Sequence, residues 1–196
     1  MRITTALHRR AIVALLCFAA GAVAATAAAP ASALGCAPTP KASQPFAAYG
    51  DASGYVLTTG GGFEPGTPSW TFSGGARLVS DNAPDPLASA GDSHALYLPA
   101  GASVTSACTS SPKIEALVRF WAKAASSDSH LGVEVLVQGG TYSAGTITAG
   151  TDWAPTAALD SSAPDDKGAV QYQVRLTAID GAFTVDDVYI DPWCKL

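Results

Sequence analysis

Phe183-Thr184-Val185-Asp186-Asp187-Val188-Tyr189-Ile190 is the stretch on which the fold turns. Phe183, Val185, Asp187 and Tyr189 alternate with Thr184, Asp186, Val188 and Ile190, and the β-branched and aromatic content suits a pleated, buried strand. Two adjacent carboxylates in such a strand are costly unless paired, hydrogen-bonded or bound to a cation. The segment therefore reads as the strand that closes a sandwich beside a charged or calcium-like site.

Working back from it, short β runs recur, separated by Gly, Pro, Asp and Ser: Tyr55 to Thr58, Trp70 to Phe72, Ala76 to Ser80, Ala95 to Leu98, Ser103 to Ala107, Ile114 to Lys123, Leu131 to Val137, Tyr142 to Thr148 and Val170 to Ile179. No long helical stripe interrupts them, and there is no internal repeat. The pattern predicts an all-β, antiparallel sandwich. Within it, Ile114, Ala116, Val118 and Phe120 face the core and Glu115, Leu117, Arg119, Trp121 and Lys123 oppose them. In the same way Val133, Val135 and Val137 oppose Glu134, Leu136 and Gln138, and Val170, Tyr172, Val174 and Leu176 oppose Gln171, Gln173, Arg175 and Thr177. Each strand is expected to keep one wet face.

Arg2, Arg9 and Arg10 precede an apolar stretch from Ala11 to about Ala29, and Ala31-Ser32-Ala33 offers small residues for cleavage, so 1–33 reads as a secretory signal. The stretch is short and Ala-rich for a membrane span, and no second long apolar segment follows. From 34 to 50 the Pro, Ala, Ser and Thr content suits an extended arm. The remainder, 51–196, reads as one domain, the mature chain of about 160 residues being enough for a single core. Eleven basic against 16 acidic residues give a formal net charge of −5, with no basic run and no aromatics set among lysines, which argues against a nucleic-acid partner.

Cys17 leaves with the signal, so Cys36, Cys108 and Cys194 enter an oxidising compartment, where an odd number leaves one over. Cys36 with Cys108 is the preferred bridge, since it ties the arm to the domain. Cys194 can take either partner on sequence grounds alone.

The ordered set GGFEPG (Gly61 to Gly66), Trp70, GDSHALYLP (Gly91 to Pro99), VRFWAK (Val118 to Lys123), Asp152-Trp153 and FTVDDVYIDPW (Phe183 to Trp193) resembles a group of uncharacterised secreted actinobacterial proteins. Those in turn are similar to galactose-binding-like jelly rolls, the fold of many carbohydrate-binding modules. The resemblance implies a jelly-roll sandwich. It also implies a structural calcium ion, held by Glu64 of the early FE segment and by Asp186 or Asp187 of the last strand. Gly61 and Gly62 suit a loop that offers backbone carbonyls to such an ion, and Asp92 is a turn residue or a further ligand.

Alternation places Glu115, Arg119, Trp121, Glu134, Gln171, Gln173 and Arg175 as candidates for one binding face. Sugar hydroxyls need amide, carboxylate and guanidinium partners, and a pyranose can lie on Trp121. The other reading is the ordinary solvated face of a sandwich. Gly91-Asp92-Ser93 looks like the nucleophile segment of some hydrolases, but His94 adjoins Ser93 and on a strand would point to the other face. Zinc spacing, a phosphate loop and a dinucleotide fingerprint are absent from the sequence. The expectation is a secreted, monomeric, non-catalytic module for carbohydrate or another cell-envelope polymer. The alternatives are a surface interaction protein without a sugar site and a small hydrolase.

Overall fold

The computed structural model describes residues 36–38, 41–66, 70–111, 117–137, 140–163 and 170–191. The expected signal (1–33), Glu115 and Cys194 lie outside them. Among the described residues no helix is long and apolar enough to cross a membrane.

Two sheets make the molecule. The first contains β1 (Ala37–Pro38), β3 (Thr71–Ser73), β6 (Ser103–Thr105), β7 (Thr109–Ser111), β9 (His130–Val137), β10 (Gly140–Ile147) and β13 (Val170–Asp180). The second contains β2 (Val56–Leu57), β4 (Arg77–Val79), β5 (Ala95–Leu98), β8 (Leu117–Ala124), β11 (Ala154–Pro155), β12 (Leu159–Asp160) and β14 (Phe183–Asp191). All pairings between these strands are antiparallel except β1 with β7. The chain crosses from one sheet to the other at β1 to β2, β2 to β3, β3 to β4, β5 to β6, β7 to β8, β8 to β9, β10 to β11, β12 to β13 and β13 to β14, which is the winding of a jelly roll. The all-β sandwich is thus the observed fold.

The core is the interdigitation of the two inner faces. Val118, Phe120 and Ala122 of β8, Leu96 and Leu98 of β5, and Phe183, Val185, Val188 and Ile190 of β14 meet Leu131, Val133 and Val135 of β9 and Val174 and Leu176 of β13. On β14 the inward residues are odd-numbered at 183 and 185 but even-numbered at 188 and 190. The strict alternation expected across Phe183–Ile190 therefore breaks. Asp186 pairs with Trp121 and Tyr189 with Arg119, so Asp187 and Val188 together oppose Phe120. This is a β-bulge, and Asp187 supplies its left-handed residue with φ 46°.

The arm expected over 34–50 does not trail loosely. Ala37–Pro38 pairs with Thr109–Ser110, Ser43 bridges Tyr55, and Phe46 is fully buried ahead of a 3₁₀ turn at Ala47–Tyr49. Together with residues 80–88, this segment covers the outer face of the second sheet. Phe46, Tyr55, Ala83, Trp121 and Tyr189 form a second apolar cluster there. Phe46 meets Tyr55 and Tyr189 edge-on at 5.1 and 5.5 Å.

Cys36 and Cys108 are joined across 72 residues, the pairing the sequence favours. Closing a loop of that length stabilises by about 4 kcal/mol in the chain-entropy model. Replacing both cysteines by serine is expected to lower the melting temperature by roughly 10 °C, read by calorimetry or circular dichroism. An unchanged melt would show that the cover holds without its bond.

Candidate functional site

Of the seven residues expected to share a binding face, the six that are described are divided between the two sheets. Arg119 and Trp121 stand on β8, while Glu134 stands on β9 and Gln171, Gln173 and Arg175 on β13. Alternation assigns a residue to a face but not to a sheet. Nor is Trp121 available as a platform. It is 1% exposed, packed in the second apolar cluster with Tyr49 edge-on at 5.2 Å. Arg119 is 7% exposed, and its guanidinium reaches Asp51 at 2.6 Å and the Thr156 carbonyl at 2.7 Å and lies over Phe46. Both serve the cover. Trp121→Ala is expected to cost about 3 to 5 kcal/mol of stability, as for other buried aromatic truncations, measured by denaturant unfolding. A near-neutral change would contradict the burial.

Among the described residues, no segment overlies the outer face of the first sheet in this way. Arg175 pairs with Glu134 on one side and Thr105 on the other, Thr105 with Thr71, and Glu134 with Ser143. Five polar side chains therefore stand in one row across five strands. The Arg175 Nε donates to Glu134 at 2.7 Å, and both side chains are one-third exposed. Gln173 donates to the Ser106 carbonyl at 2.8 Å. Gln171, Gln173, Thr141 and Leu136 line a shallow hollow of about 210 Å³ beside the row.

The four residues expected around calcium do come together, on the opposite side of the molecule. The turn at Thr58–Glu64 lies against β14: Thr58 donates to the Val188 carbonyl through N–H and Oγ1, and the Val188 N–H donates to Gly61. A Cβ on Gly61 would fall 2.8 Å from the Val188 carbonyl oxygen, so this contact requires glycine. The turn carries Glu64 to the 92–94 loop and to Asp187. Glu64, Asp92 and Asp187 line one cavity. Asp85, which sequence reasoning missed, joins them: it accepts from the Tyr189 hydroxyl at 2.7 Å and shares a hydrogen bond with Asp187. Its place in the Ala83-Pro84-Asp85-Pro86 turn gave no sign of this, because the contact spans about a hundred residues.

The oxygens are unequally engaged. Glu64 Oε1 accepts from the Ser93 and His94 N–H groups at 2.6 and 2.8 Å, and Oε2 lies 3.2 Å from His94 Nδ1. Asp186 accepts from the Ala83 N–H at 3.0 Å and the Asp187 N–H at 2.9 Å. Asp187 Oδ2 is buried and accepts from no N–H or hydroxyl of the described residues, its carboxyl meeting that of Asp85 instead. Among the described residues no three His, Cys, Asp or Glu side chains are grouped as a metal's ligand set. Calcium takes six to eight oxygens, and here Glu64 and Asp186 accept from N–H groups.

Ser93 and His94 precede β5 and follow no strand alternation, so their side chains meet rather than diverge. Ser93 Oγ lies 3.0 Å from His94 Nδ1. Glu64 contacts the same nitrogen. A hydrolytic triad needs the serine on one ring nitrogen and the acid on the other, so these three residues are not one.

Burial, with the charges of its acidic neighbours, pushes Asp187 up from the usual 3.8 to about 9, and burial pushes Asp186 up to about 8. Burial would raise Glu64 too, but the Ser93 N–H, Asp92 and the His94 N–H hold it at about 2. The linkage has a definite sign. A carboxyl that binds its proton more tightly when folded loses stability as pH rises from its unfolded to its folded value, here from about 4 to about 9. Glu64 contributes in the opposite sense, its stabilisation being lost as pH falls from about 4 to about 2. The melting temperature is expected to peak at mildly acidic pH and to fall towards pH 9, with the fall reduced in Asp187→Asn. A flat profile between pH 5 and 9 would show that the acids are compensated otherwise.

No protein-family model matches the sequence, and no curated protein matches it. Among solved structures, the chain is similar to a family 61 carbohydrate-binding module in complex with β-1,4-galactotriose, at 18% identity and TM-score 0.40, over 68% of this chain and 92% of that one. It is also similar to the family 11 carbohydrate-binding module of the cellulosomal cellulase Lic26A-Cel5E of Clostridium thermocellum, at 13% identity and TM-score 0.41, over 74% and 99%. A third likeness is to a family two carbohydrate esterase from Cellvibrio japonicus, at 10% identity and TM-score 0.40, over 71% of this chain and 33% of that one.

Proposed function

We propose that this protein is a secreted, non-catalytic module that binds carbohydrate or another cell-envelope polymer across the outer face of its first sheet. The observation that carries this reading is the row Thr71, Thr105, Arg175, Glu134 and Ser143, which stands in register on adjacent strands. Adjacent strands lie about 4.8 Å apart, so the row is roughly 19 Å long. A polyhydroxylated chain laid along it meets donors and acceptors in turn: hydroxyls that do both, a guanidinium that donates and a carboxylate that accepts. The ion pair keeps both charged groups extended over the sheet, so little rotamer freedom is lost when a ligand arrives. Gln171 and Gln173 add amides at the hollow beside it.

Secretion is supported by the Cys36–Cys108 bond, which belongs to oxidising compartments. The non-catalytic part is supported by the crowding of Ser93 and Glu64 on one nitrogen of His94.

Binding to a panel of soluble and wall polysaccharides, by affinity electrophoresis or glycan array, tests the reading. Arg175→Ala and Glu134→Ala are each expected to weaken binding about 10- to 100-fold, the range for losing a charged hydrogen bond, without lowering the melting temperature much. Trp121→Ala is not the diagnostic variant, since the ring is buried. Folded protein that retains no glycan or envelope polymer would overturn the proposal.

A further inference from the structure

The hollow beside the polar row differs in chemistry from the row itself. The outward positions of β9 are His130, Gly132, Glu134 and Leu136, and among these Leu136 is the only aliphatic side chain. It is half-buried and lines the hollow. Register sets it between Gln173 of β13 and Thr141 of β10. Gln171 stands two residues from Gln173 on the same face of β13. One aliphatic group is thus flanked by two carboxamides and a hydroxyl. Among the described residues no charged side chain lines the hollow.

The two carboxamides offer opposite functions. Gln173 Nε2 donates to the Ser106 carbonyl at 2.8 Å. A backbone carbonyl only accepts, so this bond fixes which end of the amide is nitrogen and leaves Oε1 as an acceptor. No donor among the described residues meets that oxygen. Gln171 is exposed and makes no hydrogen bond among the described residues, so its NH2 is available as a donor. An acceptor, a donor and an aliphatic surface call for a short group that carries a donor, an acceptor and a methyl. A hydroxymethyl group has no methyl for Leu136, and an ester-linked acetyl has no N–H for Gln173. Ammonium, carboxylate and phosphate groups meet no opposite charge. A secondary amide ending in a methyl group satisfies all three partners. Gln173, Leu136 and Thr141 each stand two residues from Arg175, Glu134 and Ser143, about 7 Å along the strands. A sugar ring lying on the row therefore reaches Leu136 with a substituent a few bonds long.

We propose that the hollow is the subsite for the acetamido group of an N-acetylated amino sugar. The amide N–H donates to Gln173 Oε1, the carbonyl accepts from the Gln171 NH2, and the methyl lies on Leu136. This assignment rests on the polysaccharide reading of the same face and narrows it to polymers that contain such a sugar.

Titration of the methyl glycosides of N-acetylglucosamine and N-acetylgalactosamine into isotopically labelled protein, followed by backbone and side-chain amide shifts, tests this. Saturable shifts are expected with at least one of them at Leu136, Thr141, Gln171 and the Gln173 side-chain amide. The matching glycoside with a hydroxyl in place of the acetamido group is expected to bind at least 10-fold more weakly. The same glycoside acetylated on that hydroxyl lacks only the N–H and should fall between the two. Gln171→Ala, at an exposed position, should weaken the acetamido sugar several-fold and leave the melting temperature unchanged. Leu136→Thr, which keeps a strand-forming residue, should also weaken it several-fold. Equal binding of the acetamido and hydroxyl glycosides overturns the subsite, as does the absence of saturable shifts with all of them in folded protein. If wall polysaccharides are then still retained by the wild-type protein and released from Arg175→Ala, the polar row stands without the subsite. If none is retained, both readings fall.

Discussion

The single extra residue in β14 is the constraint on which the molecule depends. Before it, Phe183 and Val185 point inward; after it, Val188 and Ile190 do. An unbroken two-residue period would send Asp187 into the sandwich with Phe183 and Val185, and Val188 and Ile190 out of it. The left-handed turn at Asp187 prevents this. It keeps four apolar side chains in the core and places both carboxylates on the outer side of the sheet, where the cover and the turn at Thr58–Glu64 meet them. The core and the acidic cavity are two results of one backbone irregularity.

Carboxylates also fasten the cover. Asp51 holds Arg119 and Tyr55, Asp81 holds Lys123 and Trp153, Asp85 holds Tyr189, and Asp186 holds the Ala83 N–H. Each contact joins the overlying segments to β8, to β14 or to each other, around the aromatic cluster of Phe46, Tyr55 and Trp121. Removing one partner of such a buried pair leaves the other without compensation, so the contacts act chiefly as specifiers of where the cover lies. The central strands of the second sheet, β8 and β14, are consequently buried along most of both faces.

Much of the sandwich was legible because its strands alternate plainly. Leu131 to Val137 and Ala95 to Leu98 fall where the pattern put them, within a residue. The bulge also left a trace, since the apolar positions of Phe183–Ile190 shift from odd to even, a phase change that marks an inserted residue. What alternation does not carry is the identity of the neighbour. It read Arg119 and Trp121 as wet because their face differs from that of Val118 and Phe120, yet a covered sheet buries both faces. The cover was missed because Phe46 and Tyr49 stand in a stretch of alanine, serine and proline that shows no strand alternation. The convergence of Glu64, Asp92 and Asp187 followed from a resemblance, whereas Asp85 had no local signature. The polar row was half legible: Glu134 and Arg175 were named, but Thr71, Thr105 and Ser143 join them only through register.

The Cys36–Cys108 bond has a consequence for motion. It anchors the start of the covering segment to the first sheet, away from the second sheet that the segment shields. If the aromatic contacts over Trp121 part, the segment stays at high effective concentration near its seat, and reclosure is an intramolecular step. Detachment of the outer layer is thereby a brief local excursion, and the domain can breathe on that side without coming apart.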